Sequence, residues 1–225
     1  MLVISLDNPP VNALDSIAYQ ELTDVFAALS TSTDLSSVLL RADHRCFCAG
    51  QDRRDAPVPP RDSDTYLRNA AQAIVAATLC PVPVVVAVKS AAIGAGLILA
   101  SCADVLVLDA DATLSLPERK YGVISGFAHL STWIGMGTAA AVLTGDPINT
   151  QTFQNAGALV VPTNAVDHEA ERIAQSIADS DPEFIRSTKS EWAHSRQEIA
   201  RAYLKEIERT IELGSMNFSL PMSAD

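Results

Sequence analysis

The stretch VVVAVKSAAIGAGLILASCADVLVL, residues 84–108, decides the fold of this chain. Its first five residues are an uninterrupted apolar run, which predicts a strand buried on both faces. The small residues at 94–103 predict a closely packed helix, and the apolar run at 105–108 predicts another strand. A strand, a helix and a strand in this order indicate a parallel βαβ unit, and therefore an α/β fold.

The same alternation continues on both sides of this stretch. Asp15 can cap a helix that follows a strand at 3–6, and the polar, proline-rich residues 55–63 predict a mobile segment. Further strands are predicted at 37–40 and 113–116, and further helices at 65–79, 139–143, 150–156, 165–177 and 195–213.

The last predicted helix carries one apolar stripe, made of residues that recur every fourth position: Ile199, Tyr203, Ile207 and Ile211. Such a stripe needs a partner surface. No linker divides the chain into independent domains. We therefore expect a single structural unit, with a core at 1–190 and a C-terminal helical segment at 191–225.

Composition and charge exclude two classes of partner. The chain has 225 residues, 48% of them apolar, which is enough for a substantial core. Its 16 Lys and Arg residues against 27 Asp and Glu give a formal net charge of −11. No basic field is therefore available for a nucleic-acid backbone or an anionic membrane surface. Prolines, glycines and charges also break residues 82–108 into pieces too short for a bilayer span.

The four cysteines lie in or beside apolar runs of a chain too large to need disulfide staples, so a reducing cytoplasm is expected. The N-terminal residues show neither the basic region nor the cleavage site of a signal peptide. His44, Cys46 and Cys48 lack the spacing of a zinc site and no second pair follows, so no metal is expected.

Two glycine-containing loops are candidates for chemistry. In residues 47–52, a glycine after a predicted strand lets a backbone N–H point into a cavity, and Gln51 is the candidate donor. The turn Gly94-Ala95-Gly96 opens a predicted helix, and Ala95 offers a second donor. Two converging N–H groups form an oxyanion hole, in which one donor contributes on the order of 3 kcal/mol. Tight packing alone would also explain each loop.

The sequence also contains a set of motifs in a characteristic order, one of which carries the carboxylate of Glu118. The motifs are Asn12-Ala13-Leu14, the loop 47–52, residues 83–88 before 93–96, Ala103-Asp104, Leu116-Pro117-Glu118 and residues 121–124. In order and spacing, these motifs resemble the crotonase superfamily, also called the enoyl-CoA hydratase/isomerase family. The resemblance covers residues 8–190.

This resemblance implies an α/β fold with a crotonase-like ββα spiral core and a helical C-terminal region. It implies an acyl-CoA thioester as the ligand, with coenzyme A as part of the substrate and no separate cofactor. It assigns the oxyanion hole to the N–H groups of Gln51 and Ala95. It further implies a homotrimer or a dimer of trimers built through the C-terminal helices, which would cover the apolar stripe.

Glu118 matches one of the two glutamates of a family hydratase, whereas the other falls on Ile98. An isoleucine can neither accept nor donate a proton. The resemblance then favours double-bond isomerisation, for which one Glu acting as acid and base suffices. The alternatives are a non-catalytic fatty acyl-CoA-binding protein, or another crotonase reaction, including hydration, on a specialised CoA thioester.

The positions expected to contact the substrate, besides the catalytic Glu118, Gln51 and Ala95, are Ala49, Gly50, Asp52, Arg54, Gly94, Gly96, Ile98, Ile124 and Gly126. Arg53 or Arg54 could meet the anionic nucleotide, but a solvated charge pair with Asp52 and Asp55 explains them equally well. Residues 125–129 depart from the family pattern, and the acyl pocket is expected to be reshaped there.

Overall fold

A computed structural model describes residues 1–55 and 63–214. The predicted mobile segment at 55–63 lies outside the described residues except for its two ends. The seven strands assigned in the described part are β1 (Leu2–Leu6), β2 (Val38–Ala42), β3 (Val84–Val88), β4 (Ala91–Ile93), β5 (Val105–Asp109), β6 (Thr113–Ser115) and β7 (Leu159–Val161). The α-helices there are α1 (Ser16–Ala28), α2 (Ser63–Thr78), α3 (Ala95–Ala100), α4 (Phe127–Ile134), α5 (Gly137–Thr144), α6 (Thr150–Asn155), α7 (Val166–Ala178), α8 (Pro182–Ser190) and α9 (Ala193–Leu213).

The strands form two parallel sheets, as the βαβ pattern predicts. The larger sheet has the order β1-β2-β3-β5-β7, and β4 pairs with β6 in a two-stranded sheet. The chain therefore passes from a strand of the large sheet, β3, to a strand of the small sheet, β4, and then to the helix α3. It repeats this path through β5, β6 and a 3₁₀ helix at Pro117–Tyr121. This repeated ββα path is the predicted spiral.

The central strand β3 is buried along its whole length, as its uninterrupted apolar run predicts. Val85 and Ala87 join Val107 in a small cluster against α7, and Val84, Val86 and Val88 belong to the main core. Because alternate residues of a strand point to opposite faces, the sheet is covered on both sides. Both predicted flanking helices, α1 and α2, pack against each other in the main core.

Asp15 begins α1 as predicted, since its carboxylate accepts a hydrogen bond from the Ala18 N–H at 2.8 Å. Four of the assigned elements, β4, β7, α4 and α8, were not predicted from the sequence. The strands β4 and β7 have three residues each, too few for a period to show. The N-cap residue of α4 is Gly126, which has no side chain to cap the helix, so the usual local start signal is missing.

The apolar stripe of the last helix packs on its own chain, which corrects the expectation that a neighbouring subunit covers it. Tyr203 and Ile207 are buried in the main core, and Ile199 and Ile211 pack against it. The helix α9 contacts α2 and α4. The domain boundary at 190 and the role of 191–225 in trimerisation stay predictions.

A buried cluster of charged side chains holds the N-terminal end of α9 in place. Asp104 pairs with Lys189 and with Arg196, whose Nη2 lies 2.6 Å from the carboxylate. Trp192 donates its indole N–H to the same carboxylate at 3.2 Å. The two cations hold the pKa of Asp104 below its usual value despite burial, which by itself raises it. This cluster ties α8 and α9 to the start of β5.

Candidate active site

Two glycine turns lie side by side where the spiral brings the loop 47–52 against β4. The Cys48 N–H donates to the Ala91 carbonyl at 3.2 Å, and the Ile93 N–H donates to the Cys48 carbonyl at 3.0 Å. Gly50 and Gly94 then reverse the chain with φ values of +91° and +54°. These values lie in the left-handed region, which glycine adopts without a steric penalty.

The Gln51 and Ala95 N–H groups are left out of main-chain pairing within residues 1–55 and 63–214. Gly50 accepts from the Leu14 N–H at 2.7 Å and Asp52 donates to the Leu14 carbonyl at 2.8 Å, so the pairing skips the amide between them. A Cβ built on Gly50 would lie 3.5 Å from the Ala95 nitrogen, which places the two turns in contact. Both Gln51 and Ala95 line the same cavity.

Glu118 supplies the carboxyl group of this cavity. It lies in the first turn of the 3₁₀ helix and is 9% exposed. Its Oε2 is buried and has no hydrogen-bond partner among the described groups. Burial raises the pKa of Glu118 to about 7, and a hydrogen bond from its own backbone opposes that shift. A carboxyl that merely favours the helix dipole would be expected at the surface, whereas this one faces a cavity.

The cavity has a volume of about 140 Å³ and is closed mostly by apolar groups. Ile98, Val123 and Ile207 belong to its wall. Gly126 lies behind Ile98, since a Cβ on residue 126 would come within 3.1 Å of the Ile98 side chain. Ile98 therefore presents a methyl-bearing side chain to the same cavity that Glu118 lines.

The structure brings together most of the positions predicted from the sequence. Those that line the cavity are Ala49, Gly50, Gln51, Gly94, Ala95, Ile98 and Glu118. Gly96 instead packs on Cys48, because a Cβ there would lie 2.4 Å from the Cys48 carbonyl oxygen. Gly126 contacts the wall only from behind, through Ile98.

Three predicted contact positions lie apart from the cavity wall. Arg54 forms an ion pair with Asp52 at 2.7 Å, and its side chain is 79% exposed. The geometry of Arg54 and Asp52 therefore agrees with the alternative interpretation, in which the two residues form a charge pair within the loop. Ile124 is held to α9, since its N–H donates to the Thr210 hydroxyl at 2.8 Å. Substrate contact by these three residues stays a prediction.

The sequence interpretation missed several residues of the wall. Tyr19 on α1, Ser125 before α4 and Tyr203 on α9 all line the cavity, as does Tyr121. Arg53, which the sequence offered as a possible contact to the nucleotide, also belongs to the wall. Arg53 lies over the Tyr121 ring, with its Cζ 5.2 Å from the ring centroid. Tyr203 was placed in the apolar stripe, but the stripe alone does not show that its partner surface includes a cavity.

A larger surface cleft, of about 430 Å³, lies between β1 and α1. It contains neither Glu118 nor the unpaired amides of Gln51 and Ala95. The smaller cavity is therefore the better candidate, because its chemical groups converge.

A family model described as "Enoyl-CoA hydratase/isomerase" matches residues 1–216. The chain belongs to the enoyl-CoA hydratase/isomerase family. The family predicted from the motifs is thus confirmed, and with it the α/β spiral fold with a helical C-terminal region.

Among its relatives in the enoyl-CoA hydratase/isomerase family is a Mycobacterium tuberculosis H37Rv protein named (7aS)-7a-methyl-1,5-dioxo-2,3,5,6,7,7a-hexahydro-1H-indene-carboxyl-CoA hydrolase. It is 33% identical over 196 residues, which cover 84% of this chain and 78% of the relative. A probable enoyl-CoA hydratase of Bacillus subtilis 168 is 28% identical over 194 residues, covering 82% of this chain and 75% of that protein.

The crystal structure of an enoyl-CoA hydratase/isomerase from Xanthobacter autotrophicus Py2 superposes on this family member with a TM-score of 0.85. It covers 96% of this chain and 84% of the other at 23% identity, and it shows the fold. Within residues 1–55 and 63–214, no helix has the length and apolar character to cross a membrane.

Proposed function

We propose that this protein is an acyl-CoA enzyme that shifts a double bond through an enolate, with Glu118 as its single acid and base. One observation carries the proposal. The buried carboxyl of Glu118 and the unpaired amides of Gln51 and Ala95 line one cavity, while Ile98 occupies the wall beside them.

In the proposed reaction the two amides stabilise a negative charge on the substrate and Glu118 moves one proton. The Gln51 and Ala95 N–H groups donate to the thioester carbonyl oxygen of a 3-enoyl-CoA. Ionised Glu118 removes a proton from C2, and the electron pair moves to the carbonyl oxygen, where the two donors stabilise it. Protonated Glu118 returns the proton at C4, and the double bond then lies between C2 and C3. No atom is gained or lost.

The environment of Glu118 suits both steps. A carboxyl with a pKa of about 7 is partly ionised at neutral pH, and its protonated form is acidic enough to return a proton. Ile98 is 3% exposed and carries no group that could hold a water molecule in this region. Hydration of a 2-enoyl-CoA therefore lacks the second polar group that would position its nucleophile.

A second candidate is hydrolysis of a cyclic acyl-CoA. Two relatives, from Mycobacterium tuberculosis and Rhodococcus jostii, are 33% and 34% identical and carry the same hydrolase name for a bicyclic dioxo acyl-CoA. In such a reaction Glu118 would take a proton from water as the water oxygen attacks the thioester carbon, and the amides of Gln51 and Ala95 would stabilise the oxyanion. The C–S bond would then break, and protonated Glu118 would return the proton to the departing coenzyme A thiolate.

The anionic end of coenzyme A requires cations at the mouth of the cavity in a chain whose net charge is −11. Arg53 lines the cavity, and Arg54 is exposed beside it in the chain. We assign contact with the phosphates to this arginine pair.

We also expect a homotrimer or a dimer of trimers, which light scattering of the purified protein would measure.

Turnover assays on 3-enoyl-CoA and 2-enoyl-CoA test the proposal. The wild type is expected to convert the first, and Glu118→Gln is expected to lose at least a hundredfold in kcat. Glu212→Gln is the matched control, because Glu212 is 68% exposed on α9. Binding without turnover of either ester would indicate a non-catalytic acyl-CoA-binding protein. Rapid hydration of 2-enoyl-CoA would contradict the role given to Ile98, and release of free coenzyme A from a cyclic oxoacyl-CoA would favour the hydrolase.

A further inference from the structure

The cavity wall includes three buried residues whose hydroxyl groups the isomerisation does not use. The residues are Tyr19, Ser125 and Tyr203, which come from three separate elements. We propose that these hydroxyls form a subsite for a second, uncharged oxygen function on the acyl group, a carbonyl or hydroxyl oxygen several carbons from the thioester. This inference rests on the proposed function, because it needs an acyl-CoA bound in the same cavity.

The three residues are exposed by only 2%, 4% and 3%, respectively. A hydroxyl both donates and accepts hydrogen bonds, so three such residues on one cavity wall can bind a polar atom of a ligand. Burial raises the pKa of Tyr203, and this effect is larger than the lowering caused by its hydrogen bond with the Ser125 side chain. Burial likewise raises the pKa of Tyr19. Both phenols are therefore protonated donors at neutral pH.

Tyr203 is held in place from behind by a buried histidine. The His129 ring packs edge-on against it, with centroids 4.8 Å apart and planes at 83°. Thr78 donates its hydroxyl hydrogen to the Ile74 carbonyl at 2.7 Å, so the His129 Nε2, 2.7 Å from the same hydroxyl oxygen, is the donor of that pair. The ring is neutral, since burial lowers the pKa of His129 to about 3. Tyr203 therefore has a fixed orientation before any ligand binds.

The charges around Tyr203 favour a neutral oxygen over a carboxylate. The carboxyl groups of Glu206 and Glu118 are its acidic neighbours, and Tyr19 is also close to Glu118. Arg53 lines the cavity too, but it lies over the Tyr121 ring. An acyl group that ended in a carboxylate would share the cavity with Glu118 and lie near Glu206, which neighbours Tyr203 outside the cavity lining, whereas a carbonyl or hydroxyl oxygen would not be repelled.

The volume limits the size of the acyl group. The cavity measures about 140 Å³, close to the engineered cavity of about 150 Å³ that binds benzene. A compact acyl group of roughly six carbons, open-chain or cyclic, fits this space. Apolar side chains such as Leu67, Ala70 and Val123 would contact its carbon atoms.

Calorimetric titration with matched thioesters that carry no double bond to isomerise tests the subsite. The probes are hexanoyl-CoA against 5-oxohexanoyl-CoA, and cyclohexanecarboxyl-CoA against 4-oxocyclohexanecarboxyl-CoA. Wild type is expected to bind the oxo member of at least one pair about tenfold more tightly, the effect of one hydrogen bond that would otherwise be lost. Tyr203→Phe, Tyr19→Phe and Ser125→Ala should bring that ratio towards one.

Ser131→Ala is the control, because the Ser131 hydroxyl on α4 donates to the Ala128 carbonyl at 3.1 Å and the residue does not line the cavity. It should keep the wild-type ratio. Equal binding within both pairs, or a ratio that none of the three variants changes, would overturn the subsite while leaving the proposed function intact. Failure of all four thioesters to bind would overturn both.

Discussion

The Glu118 carboxylate lies directly against Gly94, so that a Cβ built on residue 94 would come within 2.7 Å of Oε1. Gly94 immediately precedes Ala95, whose amide is one of the two unpaired donors. The glycine therefore fixes the spacing between the acid–base group and the oxyanion hole. Its φ of +54° also gives the turn that aims the amide.

The Gly94→Ala variant should fold but have low catalytic activity. The new methyl group must push the flexible Glu118 side chain aside, and the positive φ costs about 1–3 kcal/mol for a residue with a Cβ. We expect kcat to fall at least tenfold and the thermal midpoint to drop, as measured by turnover and calorimetry.

Gly137→Ala is the control for this substitution. A Cβ there meets no heavy atom within 4 Å, its φ is not positive and the residue begins α5. We expect unchanged turnover and equal or slightly higher stability, since alanine favours helix by up to about 1 kcal/mol. A variant at Gly94 with wild-type kcat would contradict the proposed contact between that turn and the base.

The pH dependence of kcat/KM should follow the ionisation of Glu118. Because the carboxylate is the base and its pKa is about 7, activity is expected to rise with pH and level off above that value. A profile that is flat between pH 5 and 9 would assign the proton transfer to another group.

The same group makes stability depend on pH in a defined direction. The pKa of Glu118 is raised from 4.5 to about 7 in the fold, so the folded state holds the proton more tightly than the unfolded state. Its contribution is fully present below about pH 4.5 and is lost as pH rises through about 7. Glu118→Gln should remove this component from unfolding curves measured between pH 5 and 8.

Ile98→Glu should shift the reaction towards hydration. Ile98 lines the cavity with Glu118, so a second carboxyl would supply the partner that holds a water molecule. A like charge nearby should also raise the pKa of Glu118 further. The measurement is the ratio of hydration to isomerisation rates, with Ile98→Leu as the apolar control. No rise in this ratio would mean that residue 98 does not face the nucleophile's position.

Glu206 should be required for the position of the segment that includes Ser125. Its carboxylate accepts from the Ala128 N–H at 2.6 Å and the Phe127 N–H at 3.2 Å, and so caps α4 from α9. Loss of such a cap costs about 0.5–2 kcal/mol. Glu206→Ala is expected to lower the free energy of unfolding by that amount and to raise KM, whereas Glu212→Ala, at an exposed ion pair on the same helix, should change neither.

A good part of the candidate site could be predicted from local sequence. The glycines at 50 and 94 indicated turns, because few other residues allow a positive φ, and the Gln51 and Ala95 amides next to them make no main-chain hydrogen bond to any residue that the structure describes, as that interpretation requires. The family motifs pointed to Glu118, and the structure places it in the same cavity. Gly96 was also singled out, but it packs on Cys48, which only the neighbouring strand could reveal.

The sequence by itself determined the parallel βαβ order, the buried strand β3 and the apolar stripe of α9, since each is a local period of apolar residues. Only the tertiary structure decided that this stripe covers its own chain and that Tyr203 meets Tyr19 and Ser125 in one cavity. A hydrophobic period specifies that a face is buried, but it carries no information about the surface that buries it. That choice depends on residues far apart in the chain, such as Tyr19 and Tyr203, which come to line one cavity only once the chain has folded.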